Sequence, residues 1–305
     1  MKKYFLSICI TAVLAAAVIA QPEVIIHHRI NANYESANRV DFAPTAGGTG
    51  AVSPVLANHG GPVIGTPVIY IIWYGDWNNS TGSDTPAGQQ IVRDWANGIG
   101  GSPYFAINTT YGSPISGNVS WSPGNETTEP NPAKSLSDSG VLASVSSAIT
   151  SGRLPYDANG IYFVITSSNV RKSGFCTSYC GWHTAGNTST GQHIRYSFVG
   201  NADRCLSACA AQTISPNGNA GVDGAVSVLS HELEEATTDP DLNAWYDSKG
   251  AENADKCAWT FGQTLFQTSS GAYYNQTFGG RNWLIQRNLL KSGSSWFCML
   301  DSGRH

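Results

Sequence analysis

The chain has 305 residues, with 17 Lys and Arg against 21 Asp and Glu and a formal net charge of −4. A mildly acidic chain in which 12% of the residues are charged lacks the basic face that binding to a nucleic-acid backbone requires. Hydrophobic residues make up 41% of the sequence, enough for a sizeable core. The composition therefore predicts a globular protein and excludes nucleic acid as a partner.

The first 20 residues have the three-part pattern of a signal peptide. Lys2 and Lys3 form a charged start, an apolar run extends from Tyr4 to Ile19, and Ala20 offers a small residue at the cleavage position. The alternative is an uncleaved anchor, and the run is near the lower length limit for crossing a bilayer. We predict cleavage, secretion to the extracellular space or cell wall, and no membrane span in the mature protein.

Residues 21–58 are polar and interrupted by Gly and Pro, which predicts a flexible linker or pro-segment. A single globular domain is predicted over residues 59–305. Its predicted elements, in chain order, are a buried strand at Pro67–Tyr74, a helix at Asp84–Asn97, a strand around Val119 and Trp121, a helix at Ser135–Thr150, a buried strand at Gly160–Thr166, a strand at Ile194–Val199, a helix at Asp223–Ala236 and a short strand at Trp283–Gln286. This alternation predicts an α/β or α+β fold with a central mixed sheet packed by helices.

Cysteine use agrees with export. Cys9 lies in the leader, and the six remaining cysteines are an even number that favours three disulfides stapling the loops in an oxidising compartment. The preferred pairing joins neighbours within each C-x3-C motif and then the last two cysteines: Cys176–Cys180, Cys205–Cys209 and Cys257–Cys298. The alternative for the two C-x3-C motifs is a four-thiolate zinc site.

Seven N-x-S/T sequons occur in the chain, at Asn78, Asn79, Asn108, Asn118, Asn125, Asn187 and Asn275. In a eukaryotic secretory route several of them would carry glycans, which would place them on the surface. The alternative is that a chain rich in Asn, Ser and Thr produces sequons by chance.

The segment most informative about chemistry is H-E-x-x-E, which runs from His231 to Glu235 at the end of the third predicted helix. Positions i and i+4 share one helix face, so His231 and Glu235 can present an imidazole and a carboxylate to one metal ion. In zinc peptidases the position after the first ligand, here Glu232, holds the general base. The carboxylate at the second ligand position lowers the Lewis acidity of Zn²⁺ and makes a harder cation such as Ca²⁺ more acceptable.

A catalytic zinc site needs one more protein ligand and an open position. The candidates are Glu252 and Asp255, in a turn just before Cys257, and His183, just after Cys180. A further candidate is Asp239, just after the predicted helix.

Three other interpretations of these residues are open. A helix with three Glu in four residues usually presents a solvated charged face, with His231 as an ordinary neighbour. The acidic residues Asp239, Asp241, Asp247, Glu252 and Asp255 could instead form a structural Ca²⁺ loop, although they lack EF-hand spacing. The aromatic residues Trp73, Tyr74, Trp77 and Trp121 could form a carbohydrate-stacking surface, although such residues more often belong to the core.

An ordered series of short motifs extends over residues 59–298. It comprises His59-Gly60-Gly61-Pro62, Ile72-Trp73-Tyr74-Gly75, Cys180-Gly181-Trp182-His183, Cys205 to Cys209, Pro216-Asn217-Gly218, Gly221-Val222-Asp223-Gly224, Ser230-His231-Glu232-Leu233 with Glu235, Asn243-Ala244-Trp245-Tyr246, and Glu252 with Asp255 and Cys257. In order and spacing this series resembles the EXORDIUM/phosphate-induced protein family of secreted plant proteins, which also has microbial relatives. The chain departs from the plant pattern at Asp239, where Asn is expected, and in a shorter insertion between Tyr246 and Glu252.

The resemblance implies an extracellular or cell-wall protein that is linked, in plants, to growth and cell expansion. It also implies that H-E-x-x-E recurs together with the Glu252 and Asp255 turn, which favours a metal site. We therefore predict a zincin-like, Zn²⁺-dependent hydrolase, with Ca²⁺ as the alternative ion and an extracellular peptide or cell-wall component as the partner. The alternative is a non-catalytic wall, signalling or carbohydrate-binding protein with at most a structural metal.

Overall fold

The computed structural model describes residues 55–262 and 265–303. The predicted signal peptide and nearly all of the predicted linker lie outside these residues. The described elements, in chain order, are β1 (Ala57–Asn58), β2 (Val68–Tyr74), α1 (Pro86–Gly98), β3 (Glu126–Thr128), α2 (Asp138–Thr150), β4 (Gly160–Thr166), β5 (Gly181–Asn187), β6 (His193–Gly200), α3 (Leu206–Cys209), α4 (Ala220–Thr238), β7 (Trp245–Tyr246), β8 (Phe266–Gln267), β9 (Tyr273–Tyr274), β10 (Gln276–Phe278), β11 (Arg281–Trp283), β12 (Asn288–Ser292) and β13 (Ser295–Met299).

A five-stranded mixed sheet, in the order β3-β2-β4-β6-β5, forms the centre of the domain. The strands β3, β2, β4 and β6 are parallel, and β5 runs antiparallel to β6 at one edge. Every residue of β4 is buried, as expected for a parallel strand that is covered on both faces. The predicted central mixed sheet with packing helices is confirmed.

Three of the helices begin at a residue whose side chain caps the first turn. Thr85 caps α1, Ser137 caps α2 and Asn219 caps α4, each by accepting a hydrogen bond from a backbone N–H in the first turn. Helix α4 begins three residues before the predicted Asp223 because Asn219 is its cap. Nearly all of its side chains are buried, so it is a central helix and not a surface helix with one apolar stripe. It packs against α1, β5 and β6.

Two strand predictions differ from the structure, and one strand was not predicted. The segment around Val119 and Trp121 makes only an isolated bridge, between Ser120 and Val68. Of the four residues of the strand predicted at Trp283–Gln286, only Trp283 lies in a strand, as the last residue of β11. No strand was predicted between Thr166 and Ile194, where β5 forms because it pairs with β6 along its whole length.

The structure also moves the start of the folded domain. Strand β1 lies within the predicted linker and pairs antiparallel with β7, and Leu56 beside it is buried in a cluster with Trp245 and Trp296. Residues 55–58 therefore belong to the folded domain. No helix in the described part of the chain has the length and apolar character to cross a bilayer.

The three disulfides are Cys176–Cys205, Cys180–Cys209 and Cys257–Cys298. The third predicted pairing is confirmed, and the two pairings within the C-x3-C motifs are wrong, as is the four-thiolate zinc site. The antiparallel pairing of Gly181 with Val199 explains the difference. It brings the segment before β5 beside the segment after β6, so each cysteine of one motif bonds to a cysteine of the other.

Candidate metal centre

Helix α4 brings His231 and Glu235 together, as the i, i+4 spacing predicted. His231 Nε2 lies 2.9 Å from Glu235 Oε1. Despite this distance, neither ring nitrogen of His231 has an aligned hydrogen-bond partner. The imidazole and the carboxylate therefore lie close together without forming an aligned hydrogen bond, as two ligands of one ion do.

Asp255 joins this pair from the turn before Cys257. Its Oδ1 lies 3.5 Å from His231 Nε2, and its backbone N–H donates a hydrogen bond of 3.0 Å to Glu235 Oε1. A 3-10 turn at Asp255–Cys257 leads directly into the Cys257–Cys298 disulfide. The predicted convergence of a helical His and Glu with a disulfide-tethered acid is the arrangement found.

His183 reaches the same centre from strand β5. Its Nδ1 lies 3.4 Å from Glu232 Oε2 and 3.6 Å from Glu235 Oε2. His183, Glu232 and Glu235 form one group of three donors that could hold an ion, and His231, Glu235 and Asp255 form another. Glu235 belongs to both groups.

Glu252 is the fifth predicted ligand at the centre. Its Oε2 lies 3.7 Å from Nε2 of His183, on the side of the ring away from Glu232. Asp239 contributes only its carbonyl oxygen, at 3.4 Å from the same nitrogen. Oδ1 of Asp239 accepts hydrogen bonds of 2.6 Å from the backbone N–H groups of Asn243 and Ala244, and Asp239 belongs to neither group of candidate ligands.

The centre is closed to solvent on almost every side. The side chains of His183, His231, Glu232, Glu235 and Glu252 are 0–1% exposed, and Asp255, at 15%, is the most exposed donor. His183 Nδ1 and both carboxylate oxygens of Glu232 and of Glu252 have no hydrogen-bond partner. Buried ionisable groups without partners cost several kcal/mol unless they are neutralised or bind an ion. This donor set therefore fits a bound cation.

The charges of these groups act strongly on one another. Burial and the nearby charge of Glu235 raise the pKa of Glu232 to about 7, against the lowering effect of the His183 contact. Burial would also raise the pKa of Glu235, but the two imidazoles lower it to about 2. Burial would lower the pKa of His183, but Glu232 and Glu235 raise it to about 10. The positive charge of the imidazoles therefore stabilises carboxylate charge at the centre. A divalent cation could take the place of the protons that these groups bind.

The two imidazoles bear on which of the two expected ions the donor set would suit. Zn²⁺ accepts imidazole nitrogen and carboxylate oxygen in one shell, at bond lengths of roughly 2.0–2.2 Å. Ca²⁺ takes six to eight oxygen ligands and has little use for two ring nitrogens. The donor chemistry therefore favours Zn²⁺ or a similar transition metal over Ca²⁺.

The alternative Ca²⁺ loop is not assembled in the described residues. Asp241 binds the guanidinium of Arg195, and Asp247 binds the ammonium of Lys256 at 2.6 Å. Only Glu252 and Asp255 of the five acidic residues bring their carboxylates to the centre. The five acidic residues of this alternative therefore do not converge on one loop site.

The proposed carbohydrate-stacking surface also fails. Trp73, Tyr74 and Trp77 are buried in the main core, and Trp121 packs against that core. Trp73 and Trp77 meet edge to face within the protein. Trp73, Tyr74 and Trp77 are core residues, and the partly buried Trp121 alone does not make a stacking surface.

Glu234 is also buried, which no motif in the sequence predicted. Its Oε2 accepts a hydrogen bond of 2.5 Å from Asn288 Nδ2, on β12. Burial raises the pKa of Glu234 well above its usual value. The expected solvated face of the helix is therefore absent, because acidic residues on both sides of α4 are covered. A lack of basic residues at i±4 positions was the only available signal.

Comparison with known proteins agrees with the motif series. Residues 56–287, which include every donor of the centre, match the Phosphate-induced protein 1 conserved region. Protein EXORDIUM-like 3 of Arabidopsis thaliana is 30% identical over 273 residues, which cover 76% of this chain and 79% of that protein. Protein EXORDIUM-like 5 of the same plant is 29% identical over 275 residues, covering 76% of this chain and 74% of that protein.

Protein PHOSPHATE-INDUCED 1 of Nicotiana tabacum is 29% identical over 160 residues, covering 42% of this chain and 50% of that protein. No solved structure matches the chain. With a conserved region matched over most of its length and relatives aligned over three-quarters of it, the chain belongs to the phosphate-induced protein 1 (EXORDIUM) family.

Proposed function

We propose that the protein is a secreted, zincin-like, metal-dependent hydrolase that acts on an extracellular peptide or cell-wall component. One observation carries this proposal. His231, Glu235 and Asp255 converge on one point, and the unpaired carboxylate of Glu232 lies on the next position of the same helix. A ligand set of three with an adjacent base is the minimum that metal-assisted hydrolysis requires.

Each residue has a distinct role in this proposal. His231 Nε2, Glu235 Oε1 and Asp255 Oδ1 hold the cation. A bound divalent cation polarises a substrate carbonyl and makes water more acidic. Glu232 would accept a proton from the attacking water, and His183 Nδ1 lies 3.4 Å from its carboxylate without a hydrogen bond to it. Glu252 Oε2 lies 3.7 Å from the far nitrogen of His183, so the ring lies between two carboxylates.

The environment of Glu232 suits the role of a general base. A general base works best when its pKa lies near the working pH. In the metal-free protein, burial raises the pKa of Glu232 from the ordinary value of 4.5 to about 7. Such a shift in a cluster of ionisable groups is typical of functional sites, although structural ion pairs also produce shifts.

Secretion is part of the proposal and rests on two features. The three disulfides are typical of proteins that fold in an oxidising compartment. Residues 1–20 have the pattern of a signal peptide. Expression with the native leader, followed by N-terminal sequencing of protein from the medium, tests this. Retention of the intact leader would contradict it.

The decisive experiment compares the mature protein with a Glu232→Gln variant. Metal content is measured by elemental analysis after purification without chelators, and turnover is measured on dye-quenched casein and on a panel of wall polysaccharides. The proposal expects bound metal in both proteins and at least 100-fold slower turnover in the variant, the range typical of removing a general base. Absence of stoichiometric metal from the wild-type protein would overturn the proposal.

A second function is favoured by the closure of the centre. Five of its six side chains are at most 1% exposed, whereas a catalytic metal needs a position open to substrate. In this second proposal the cation is structural, and the protein is a non-catalytic wall or signalling protein. Stoichiometric metal without turnover on any probe, together with a large loss of thermal stability on chelation, would favour it over the hydrolase.

A further inference from the structure

The two oxygens of Glu235 face different donors. Oε1 lies 2.9 Å from His231 Nε2, on the side of Asp255. Oε2 lies 3.6 Å from His183 Nδ1, on the side of Glu232. A carboxylate placed this way can bind two cations, one through each oxygen.

The separations on the His183 side match those of ligands around one ion. Bonds of roughly 2.0–2.1 Å at tetrahedral angles place donors about 3.3 Å apart. His183 Nδ1 lies 3.4 Å from Glu232 Oε2 and 3.6 Å from Glu235 Oε2. These distances are too long for hydrogen bonds of good geometry and close to those of an ion's shell.

The same donors lack partners in the protein. His183 Nδ1 and both oxygens of Glu232 make no hydrogen bond, although His183 is 1% exposed and Glu232 is fully buried. Native proteins rarely leave buried polar atoms unsatisfied. A single cation between His231, Glu235 and Asp255 would satisfy none of these atoms, so they need a ligand of their own.

We propose that the centre takes a second divalent cation, held by His183 Nδ1, Glu232 Oε2 and Glu235 Oε2. Glu235 bridges it to the cation of His231 and Asp255. This inference rests on the metal centre of the proposed function and adds a second site to it. Glu232 then uses Oε2 as a ligand, and its Oε1 remains available to accept a proton.

The test measures stoichiometry and spin coupling in the mature chain, residues 21–305. Metal-free protein is dialysed against Zn²⁺ and analysed by elemental analysis, and a parallel sample is loaded with Mn²⁺ for electron paramagnetic resonance. We expect two Zn²⁺ per chain and a spin-coupled Mn²⁺ pair. Neither measurement depends on a variant that folds or on any substrate.

Variants assign each site. His183→Ala should reduce the stoichiometry from two Zn²⁺ to one and abolish the coupled signal, and His231→Ala should also leave one. His193→Ala, which removes a half-exposed histidine paired with Asp241, should leave two. One Zn²⁺ in the wild type and one in His183→Ala would overturn the second site while leaving the proposed function intact. No bound Zn²⁺ in the wild type would overturn both.

Discussion

The backbone N–H of Asp255 donates a hydrogen bond of 3.0 Å to Oε1 of Glu235, so one proposed ligand fixes the turn that carries another. The same turn continues into Cys257, whose disulfide with Cys298 ties it to strand β13. Helix α4, the acidic turn and the C-terminal hairpin therefore form one connected support for the metal centre. Changes in any of the three should be detectable in metal affinity.

Removal of the Cys257–Cys298 disulfide should weaken both stability and metal binding. The bond closes a loop with a sequence separation of 41 residues, and loops of this size contribute about 3–4 kcal/mol to the free energy of unfolding. In a Cys257→Ser, Cys298→Ser double variant we expect that loss in urea unfolding of the metal-free protein. We also expect at least tenfold weaker Zn²⁺ binding, because Asp255 loses its anchor.

The matched control is the double serine variant of Cys176 and Cys205. The Cys176–Cys205 disulfide has a sequence separation of 29 residues, so its removal should cause a similar loss of stability. Neither cysteine adjoins a proposed ligand in the chain, so Zn²⁺ affinity should change little. Equal losses of affinity in the two double variants would show that the effect is one of general stability.

The metal-free protein should become less stable as the pH rises. The pKa of His183 is raised from 6.5 to about 10 in the folded protein, so its contribution is complete below pH 6.5 and is lost as the pH rises through 10. The pKa of Glu232 is raised from 4.5 to about 7, so its contribution is lost as the pH rises through 7. The pKa of Glu235 is lowered from 4.5 to about 2, so its contribution to stability is lost only as the pH falls below 4.5.

Thermal unfolding of chelator-treated protein between pH 5 and 9 checks this expectation. The melting temperature should fall steadily over that range. With saturating Zn²⁺ the trend should reverse, because bound metal needs deprotonated ligands and its affinity rises with pH. Parallel trends with and without Zn²⁺ would show that the buried ionisable groups do not bind the ion.

The sequence predicted the elements whose signal is local. Strands β2 and β4 are continuous apolar runs, and α4 contains the i, i+4 pair of His231 and Glu235. His183 was a candidate ligand, but its strand was not predicted. The segment Gly181–Asn187 has weak local strand preference and becomes a strand through its pairing with β6.

The covering of α4 also depends on long-range contacts. Three glutamates in four residues usually indicate a solvated face, but here β5 covers Glu232 and Asn288 of β12 covers Glu234. The disulfide pairing depends in the same way on the β5–β6 hairpin. Such contacts join residues that are far apart in the chain, so no pattern along the sequence could reveal them.

Glu234 provides a matched control for Glu232 on the same helix. Burial raises the pKa of Glu234 well above its usual value, which favours the neutral carboxyl group, and Gln is the closest neutral analogue of that group. Glu234→Gln should leave bound Zn²⁺ unchanged and alter the free energy of unfolding by less than about 1 kcal/mol. Glu234→Ala should cost about 1–3 kcal/mol, because the buried amide of Asn288 loses its shorter hydrogen bond and keeps only the one of 3.4 Å to Asn108 Oδ1. Urea unfolding and elemental analysis check both variants, and a loss of metal in Glu234→Gln would contradict the division of roles.

Glycans should occupy only the exposed sequons when the protein is secreted by a eukaryotic host. Asn78, Asn118 and Asn187 are exposed, whereas Asn108 and Asn275 are buried. Asn275 Nδ2, the atom that would carry the sugar, donates hydrogen bonds to the carbonyl oxygens of Phe261 and Ile285. Glycopeptide mass spectrometry of folded, secreted protein should find no glycan at either buried site. Occupancy of Asn275 would show that this loop is packed differently.

The close packing of β5 against α4 should make Gly181 critical for the centre. A Cβ atom at Gly181 would lie 2.6 Å from Val228 Cγ1 and 3.0 Å from Glu232 Oε1. Gly181→Ala should therefore displace the strand that carries His183, at a cost of about 1–3 kcal/mol in unfolding free energy, the range seen for overpacked cores. It should also weaken Zn²⁺ binding, measured by competition with a chromophoric chelator.

Gly186, in the same strand, supplies the comparison for Gly181. A Cβ atom there would lie 3.2 Å from Tyr196 Cε1 and would meet no residue of the centre. Gly186→Ala should lower stability less than Gly181→Ala and leave Zn²⁺ affinity within a factor of about two, well under the tenfold change that 1.4 kcal/mol represents. Equal Zn²⁺ binding by the two variants would contradict this prediction. It would show that the packing of Gly181 against α4 does not position His183 as a ligand.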